Sequence, residues 1–353
     1  MSLQFSLPVT ETILSVISQA DQMRGKWSAA IPIGEGRLQR IREATAIRSI
    51  GSSCRLSGIG ISDHDVAGIL RGQSVVLPDS ASVRGYARAM GFPLGNGLLE
   101  PATLQRLNAV VLGQDESRPS AWRTHPSHCE TFDSEGHATG RVIQILPSRL
   151  IEEKIADLVT WFELEMRERA RHPLIAIAAF YLGFLAISPF ELGNGRTIRV
   201  LVGLLMRRAG YDYVPYASLE RHMEDLREDY YEALDRTQSG IWTGDADFSP
   251  WLDYFMELLD RHRRKLEKKI ELERGSSLMT PLQRTIVDTV REHGTVDARL
   301  LLQATGANRN TLKDNVRRLV TDGWLEKTGE RRATKYRLAA HDRARDALGS
   351  ESA

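Results

Sequence analysis

An uninterrupted apolar run extends from Leu174 to Ile187, fourteen residues in all. A membrane-spanning helix needs about 20 apolar residues, so this run is too short to cross a bilayer and instead predicts a helix that is buried on every side. His172 and Pro173 precede it, and proline suits the first turn of a helix because its missing N–H would have no helical partner there. We therefore expect this helix at the centre of the main core.

Helical patterning dominates the rest of the chain. Strand signals are sparse, and the one clear case is a hairpin within 130–146, where residues 133–136 supply the turn. The chain is therefore predicted to be mainly α. Apolar residues recur at three- and four-residue spacing in six further segments, namely Thr10–Ala20, Ala81–Met90, Leu150–Arg169, Arg196–Arg208, Leu219–Thr237 and Pro250–Leu272.

Composition excludes several classes of protein. Charged residues make up 26% of the 353, and 47 Lys and Arg against 46 Asp and Glu give a net charge of +1, so the chain as a whole does not attract polyanions. Cys54 and Cys129 are the two cysteines, too few for a disulfide framework or for a metal cluster of their own. The N-terminus lacks a secretory pattern. We expect a cytoplasmic protein with no metal and no membrane segment.

A change in composition near residue 277 suggests the domain division. The mixed-charge run RHRRKLEKKIELER at 261–274 reads as a solvated helix, and Gly-Ser-Ser follows it as a linker. The predicted division is an N-terminal helical region at 1–110, a helical core at 111–260, a charged helix and linker at 261–277, a small module at 278–342 and a tail at 343–353.

A glycine-rich turn follows the buried run, with the sequence SPFELGNGRTIR at 188–199. Gly193 and Gly195 allow a ligand to approach the backbone closely. Free N–H groups and the helix dipole at the start of the next helix form an anion site. Arg196 and Arg199 lie beside it on one helix face, where they can bond phosphate oxygens. The spacing predicts a polyphosphate site, but it fits a simple corner with two solvated arginines equally well.

The same string resembles the signature of the Fic (fido) family, H-x-F-x-[DE]-G-N-G-R-x-x-R. Most members transfer AMP from ATP to a hydroxyl on a target protein. The resemblance covers roughly residues 40–255 and implies a helical core with a small β-hairpin flap. It implies ATP as the ligand, Phe190 as the loop anchor, and a flap at 130–146 that binds a target protein by strand addition. The residues that would hold the phosphates are Gly193, Asn194, Gly195, Arg196 and Arg199.

Two signature positions differ from the family pattern. The family's histidine, a general base, is replaced by Ser188, which cannot usefully accept a proton near neutral pH. General base catalysis is typically worth about 10²–10⁴-fold in rate, so we expect impaired transfer. The acidic position that would carry Mg²⁺ is Leu192, which offers no oxygen and makes Mg²⁺ doubtful. Glu191 is adjacent and is an alternative ligand.

A third difference lies upstream. Many family members carry an inhibitory helix with the pattern [ST]-x-x-x-E-[GN], whose glutamate pairs with the last signature arginine. The frame runs from Ser53 to Gly58, and the glutamate position is Ser57. Without that carboxylate, we expect no ion pair to hold Arg199, so that no restraint of this kind competes with a γ-phosphate.

Further candidates come from side-chain type. Tyr230, Tyr231 and Gln238 resemble positions near the nucleotide base, with a buried helical stripe as the alternative. A histidine could replace the missing base, but each reads more simply as a solvated loop residue. The histidines concerned are His125, His128, His137 and His172.

The C-terminal module resembles a winged helix-turn-helix. Helices are predicted at 281–292, 297–303 and 308–322, followed by short strands at 324–327 and 335–338. Residues 280–340 carry twelve Lys or Arg and seven Asp or Glu, so positive charge is concentrated there. Duplex DNA is the expected partner, with protein contact or dimerisation as the alternative. The candidate DNA-binding residues are Asn308, Arg309, Asn310, Lys313, Arg317, Arg331 and Arg332.

These features combine into one leading interpretation. The chain would be a Fic-type protein that keeps a nucleotide phosphate site, transfers AMP poorly or not at all, and acts as a nucleotide-responsive or DNA-associated regulator. The alternatives are an active adenylyltransferase that uses water, Glu191 or a flap histidine as its base, and a purely structural interaction module. The sequence also leaves open whether the chain associates with a second copy of itself.

Overall fold

The computed structural model describes residues 7–28, 34–73, 80–94, 97–125, 128–132, 137–238, 241, 246–277, 279–329 and 334–339. The chain divides into two compact units, Met1–Glu267 and Lys268–Ala353.

The helices of the first unit are α1 (Glu11–Ser28), α2 (Glu35–Arg55), α3 (Asp63–Leu70), α4 (Ser80–Ala89), α5 (Pro101–Val111), α6 (Ile151–Glu168), α7 (Pro173–Ile187), α8 (Asn194–Arg208), α9 (Leu219–Asp225), α10 (Arg227–Gln238) and α11 (Ser249–Ser277). Short 3₁₀ helices lie at Ser148–Leu150 and Val214–Tyr216. The prediction of a mainly helical chain is confirmed.

Helix α7 forms the centre of the core, as the apolar run predicts. Every residue from Leu174 to Ile187 is buried, and the side chain of His172 caps the first turn by accepting from the Leu174 N–H. Aromatic side chains surround the helix on two sides. The Phe162 ring of α6 packs 4.8 Å from that of Phe180, and the indole N–H of Trp251 in α11 donates to the carbonyl of Ala178 at 2.7 Å.

Two predicted boundaries differ from the structure. The segment predicted as one helix at 219–237 is two helices, because Leu226 leaves the helical conformation (φ −111°, ψ 34°) between α9 and α10. The predicted linker at 275–277 is the last turn of α11. This helix contains the boundary between the two units, which lies after Glu267. The other predicted domain boundaries stay predictions.

The hairpin expected within 130–146 is present. Strand β1 (His128–Phe132) pairs antiparallel with β2 (Ala138–Gln144), with an irregularity between Glu130 and Phe132. The turn predicted at 133–136 lies outside the described residues. The chain leaves β2 through Leu146, whose N–H donates to the carbonyl of Ala186 at 3.0 Å, so the base of the hairpin is joined to the end of α7.

The second unit has its own small core. Its elements are α12 (Pro281–His293), β3 (Thr295–Asp297), α13 (Ala298–Thr305), α14 (Arg309–Thr321), β4 (Leu325–Thr328) and β5 (Lys335–Leu338). The strands form an antiparallel sheet in the order β3-β5-β4. Helices and the last two strands lie where the sequence predicts them, whereas β3 was not expected. The core side chains are Met279, Ile286, Val287, Val290, Val296, Leu301, Leu312, Val316, Leu319, Leu325 and Leu338.

Candidate functional site

The glycine-rich turn joins the end of α7 to the start of α8. Ser188 ends α7 in the left-handed conformation (φ 44°, ψ 67°) and is buried. Its hydroxyl donates to the carbonyl of Leu185 at 2.7 Å, one turn back along the helix. The hydroxyl at the predicted base position is therefore engaged inside the protein and does not face an incoming substrate.

The side chain of Asn194 closes the turn. The Phe190 N–H donates to Asn194 Oδ1 at 2.9 Å, and Asn194 Nδ2 donates back to the Phe190 carbonyl at 2.7 Å. The ring of Phe190 is buried, 5.2 Å from that of Trp122, as expected for the loop anchor. Gly193 has φ 81°, a conformation that favours glycine. The turn is thus fixed from both sides before any ligand binds.

Asn108 of α5 is a site residue that the sequence interpretation missed. It is fully buried, and its Nδ2 donates to the carbonyl of Leu192 and to Thr197 Oγ1, each at 3.0 Å. A Cβ on Gly193 would lie 3.2 Å from the same nitrogen, so a side chain there would press on this contact. Asn108 therefore holds the outer part of the turn against the first turn of α8.

The first turn of α8 fits a phosphate group. Within the described residues no side chain caps this helix, and Gly195 lets the Arg199 guanidinium pack against its backbone: a Cβ there would lie 2.9 Å from Arg199 Nη1, too close for both to fit. Arg196 and Arg199 are both buried in the same stretch of helix. Backbone N–H groups, the helix dipole and a nearby guanidinium are the groups that attract a phosphate in proteins.

Arg199 is nevertheless held by helix α2. Its Nε donates to Ser53 Oγ at 2.8 Å, and its Nη2 donates to the Ser53 carbonyl at 2.8 Å and to Ser57 Oγ at 2.6 Å. The sequence interpretation considered only an ion pair as a restraint on Arg199, and it missed these hydrogen bonds. Neutral hydroxyl and carbonyl oxygens replace the carboxylate. Gly58, the last residue of the motif, has φ 77° just after α2 ends.

Glu191 is bound to the segment that leads to the hairpin. Its Oε1 accepts from the N–H groups of Thr124 at 3.0 Å and His125 at 3.4 Å, and it lies 3.2 Å from Nδ1 of His125. The pKa of Glu191 is lowered, first by the Thr124 N–H bond and then by the His125 ring. A carboxylate and an imidazole are therefore paired on the exposed side of the turn.

Arg123 is a second site residue without a sequence signal. It is almost fully buried, and its donors reach four main-chain oxygens of the described residues: Ser188 at 3.1 Å, His125 at 2.8 Å, Leu146 at 2.6 Å and Ile187 at 3.3 Å. Burial lowers the pKa of its guanidinium, opposed by the charge of Glu191. This side chain ties the base of the hairpin to the end of α7.

The expected metal position does not fit Mg²⁺. Leu192 is 68% exposed and offers no oxygen, and the neighbouring Glu191 already accepts from two backbone N–H groups. Mg²⁺ requires several oxygen ligands in octahedral geometry. Among the described residues, no group of three or more His, Cys, Asp or Glu side chains could hold a metal ion.

The side chains proposed for the nucleotide base lie in the core. Tyr230 shares a 3.0 Å hydroxyl contact with Tyr181, and the Tyr231 hydroxyl donates to the Leu56 carbonyl at 3.1 Å. Gln238 is also buried. Tyr231 therefore braces the end of α2, where the motif that holds Arg199 ends, instead of lining an open pocket.

Of the candidate histidines, His125 is paired with a residue of the turn, Glu191. His172 caps α7, and its Nε2 lies 3.2 Å from Asp21 Oδ2, whereas His137 is exposed and lies just before β2. The side chain of His128 lies outside the described residues.

Helix α14 presents the basic residues of the C-terminal module. Arg309, Asn310, Lys313 and Arg317 are exposed. Asn308 caps the helix, its side-chain oxygen accepting from the Thr311 N–H at 2.9 Å, so that oxygen is already used. Arg331 and Arg332 lie outside the described residues.

Comparisons with known proteins show what the segment around the turn is similar to. Residues 98–206 match the model of the Fic/DOC family. The chain is 29% identical over 115 residues to "Protein adenylyltransferase fic-1" of Caenorhabditis briggsae, covering 33% of this chain and 20% of that protein. It is 31% identical over 90 residues to "Protein adenylyltransferase Fic" of Nematostella vectensis, covering 26% of this chain and 18% of that protein. The match thus spans about a fifth of the length of these relatives.

Solved structures of similar fold are also Fic proteins. A Fic family protein from Desulfovibrio desulfuricans has a TM-score of 0.61 at 20% identity, with 96% of this chain and 98% of that chain covered. A Fic-domain signalling protein from Bacteroides thetaiotaomicron has a TM-score of 0.59 at 19% identity, with 75% and 98% covered. The predicted Fic-type helical fold is confirmed. Within the described residues no helix is long and apolar enough to span a membrane.

Proposed function

We propose that this chain, whose residues 98–206 form a Fic/DOC-family domain, binds a nucleotide through its phosphates at the turn and transfers AMP weakly or not at all. The observation that carries the proposal is the Ser188 hydroxyl, which is buried and bonded to the Leu185 carbonyl. The related adenylyltransferases supply the reaction class, and this chain's own residues supply the reason for the loss.

Phosphate binding is supported by the uncapped start of α8. The N–H groups of Asn194 and Gly195 belong to its first turn, where the helix dipole favours negative charge. The guanidinium of Arg199 lies next to Gly195 and adds positive charge without having to move. ATP would supply the polyphosphate and the AMP group.

Weak transfer is supported by the chemistry of the missing base. In AMP transfer the hydroxyl oxygen of the target attacks the α-phosphorus, its proton goes to a base, and the bond to pyrophosphate breaks. Ser188 cannot take that proton, and a missing general base costs about 10²–10⁴-fold in rate. Leu192 leaves the expected metal position without an oxygen, so no step is assigned to Mg²⁺.

A second candidate function is active transfer with His125 as the base. The specific observation in its favour is the pairing of His125 Nδ1 with Glu191 at 3.2 Å. A carboxylate that bonds one ring nitrogen orients the imidazole and stabilises its charged form, leaving Nε2 to take a proton. His125 is 82% exposed, which leaves it accessible to a target but only loosely positioned.

Incubation of the full chain with α-³²P-ATP distinguishes the two functions. We expect no more than trace labelling of the wild type, and increased labelling when Ser188→His and Leu192→Asp are combined. Strong wild-type labelling that His125→Ala abolishes would refute impaired transfer and establish the second function. Strong labelling that His125→Ala leaves unchanged would refute both assignments of the base.

We also propose that residues 279–339 form a winged helix-turn-helix that binds duplex DNA. The element order of three helices and three antiparallel strands supports the module, with α14 as the helix for the major groove. Arg309, Lys313, Arg317 and Arg318 are exposed along α14 and suit phosphate contacts. The whole protein would then link nucleotide binding to DNA.

A further inference from the structure

A cavity of about 250 Å³ lies in the first unit, and Arg199 is the one residue of 188–199 in its lining. It is enclosed by one face of α2, one face of α8, the end of α4 and the segment 214–220. On α2 the lining runs from Arg42 to Ile50, and on α8 it runs from Arg207 back to Arg199. At 1.5 Å per residue these stretches are each about 10–12 Å long, which sets the length of the cavity.

One end of the cavity contains a buried carboxylate. Glu220 is 8% exposed, and its Oε1 accepts from the Tyr86 hydroxyl at 2.9 Å while its Oε2 accepts from Ser218 at 3.3 Å. The Ser49 hydroxyl extends this series of hydrogen bonds by donating to Ser218 Oγ at 2.9 Å. Arg199 lines the same end, but its guanidinium donates to Ser53 of α2 and to Ser57 just after that helix.

Those neighbours leave the charge of Glu220 only partly satisfied. In the described structure, no Lys, Arg or His nitrogen lies within ion-pair distance of the Glu220 carboxylate. An ionised carboxylate has about four acceptor positions, of which two are used here. A buried charge is costly without a cationic partner. A ligand ammonium at this end would supply that partner.

The other end of the cavity carries positive charge. Arg42 is exposed and Arg207 is half-buried, and neither guanidinium has a carboxylate partner among the described residues. They lie about two helical turns from Ser49 and Arg199 respectively, at the opposite end of the cavity. An anionic group is favoured there because guanidinium forms strong bonds to carboxylate and phosphate.

The walls between the two ends are apolar. A ligand there must therefore combine an apolar body with two charged ends of opposite sign. The cavity is smaller than the ~300–1,000 Å³ of a pocket for a drug-sized ligand, which favours a short linear molecule. The apolar wall residues are Ala46, Ile50, Leu70, Met90, Val200, Leu204 and Val214.

We propose that this cavity binds a small linear amino-carboxylate, with its ammonium on Glu220 and its carboxylate between Arg42 and Arg207. The site goes beyond the proposed nucleotide function and is tested without ATP. A suitable probe is 8-aminooctanoate, whose charged ends lie about 10 Å apart when the chain is extended.

Isothermal titration of the full chain compares 8-aminooctanoate with octanoate and octylamine, which each lack one charge. We expect 8-aminooctanoate to bind at least tenfold more tightly than either analogue. In Glu220→Gln its advantage over octanoate disappears, because a neutral amide cannot pair with the ammonium. In Arg207→Gln, 8-aminooctanoate and octanoate should bind more weakly, whereas the affinity for octylamine should not change.

Two controls keep the experiment decisive. Arg167→Gln removes a guanidinium that is 70% exposed on α6 and should change none of the affinities. Gly203→Met fills the cavity, where a Cβ would meet only Val214 at 3.9 Å, and should abolish binding while the melting temperature is retained. The proposal is overturned if 8-aminooctanoate gives no heat, if it binds no better than its analogues, or if Glu220→Gln leaves its advantage unchanged.

Discussion

Arg123→Met tests how the base of the hairpin is joined to the core. The guanidinium donates to the carbonyls of His125 and Leu146 on one side and of Ile187 and Ser188 on the other. Methionine keeps much of the apolar stem and removes every donor. All four carbonyls then lose a charged partner, and the buried ones have little access to water.

The expected loss of stability is large. A hydrogen bond to a charged group is worth about 1.5–3 kcal/mol, and such contributions are not additive, so we expect a total of about 3–5 kcal/mol. For a domain of this size, each kcal/mol lowers the melting temperature by roughly 2–4 °C, which gives a fall of at least about 6 °C. Urea unfolding measures the free energy, and hydrogen exchange at Leu146 measures release of the hairpin.

Arg118→Met is the matched control, because the same change is made at an exposed position. It should alter the free energy of unfolding by no more than about 0.5 kcal/mol. A loss below about 1 kcal/mol in Arg123→Met, or unchanged exchange at Leu146, would show that the buried guanidinium does not join the two segments.

Three further predictions follow from single contacts. Ser57→Ala removes the hydroxyl oxygen that lies 2.6 Å from Arg199 Nη2, so urea unfolding should show a loss of about 1.5–3 kcal/mol in the free energy of unfolding. Because the variant also releases this Nη2 donor, calorimetry should show tighter ATP binding. Lys313→Gln with Arg317→Gln should weaken DNA binding and reduce the salt slope by about 0.9 per lost phosphate contact. The pKa of Glu191 is lowered, so its contacts stabilise the fold at pH values above the ordinary glutamate pKa and are lost as the pH falls through the folded-state pKa. Hydrogen exchange of the Thr124 and His125 amides measures this loss.

Each of these has its own control. Weaker ATP binding in Ser57→Ala would contradict the release of Arg199. Arg284→Gln, on α12, should leave DNA affinity unchanged, and an equal loss there would indicate unspecific charge attraction. Glu191→Gln should remove the pH dependence of amide exchange, so a dependence that persists would assign it to another group.

The fold of the main core follows from local sequence. The run from Leu174 to Ile187 has no polar residue to face solvent, so it could only form a buried helix. The turn after it was also predictable, because Gly193 adopts a positive φ and Asn194 has the side chain to close it. Both features depend on residues close together in the chain.

The contacts of the candidate site were harder to predict. Arg199 and Ser57 are 142 residues apart, and the sequence argument considered only a carboxylate as a partner for the arginine. Arg123 bonds to main-chain carbonyls, which every residue carries, so no residue type marks its partners. Hydrogen bonds to hydroxyl and backbone oxygens leave no pattern in the sequence.

Short elements were missed for a related reason. Strand β3 has three residues and is fixed by pairing with β5, 40 residues further along the chain, where Thr295 lies opposite Arg337. The break at Leu226 falls within a continuous helical pattern. Tertiary packing decides both, and local propensity does not.

The central claim is that the turn binds nucleotide phosphate, and calorimetric titration of ATP into the full chain tests it most directly. Gly195→Val is the comparison, because its Cβ would lie 2.9 Å from Arg199 Nη1 and would displace the guanidinium that the phosphate is proposed to contact. We predict saturable binding by the wild type and at least tenfold weaker binding by the variant. No binding by the wild type, or equal binding by both, would contradict the account.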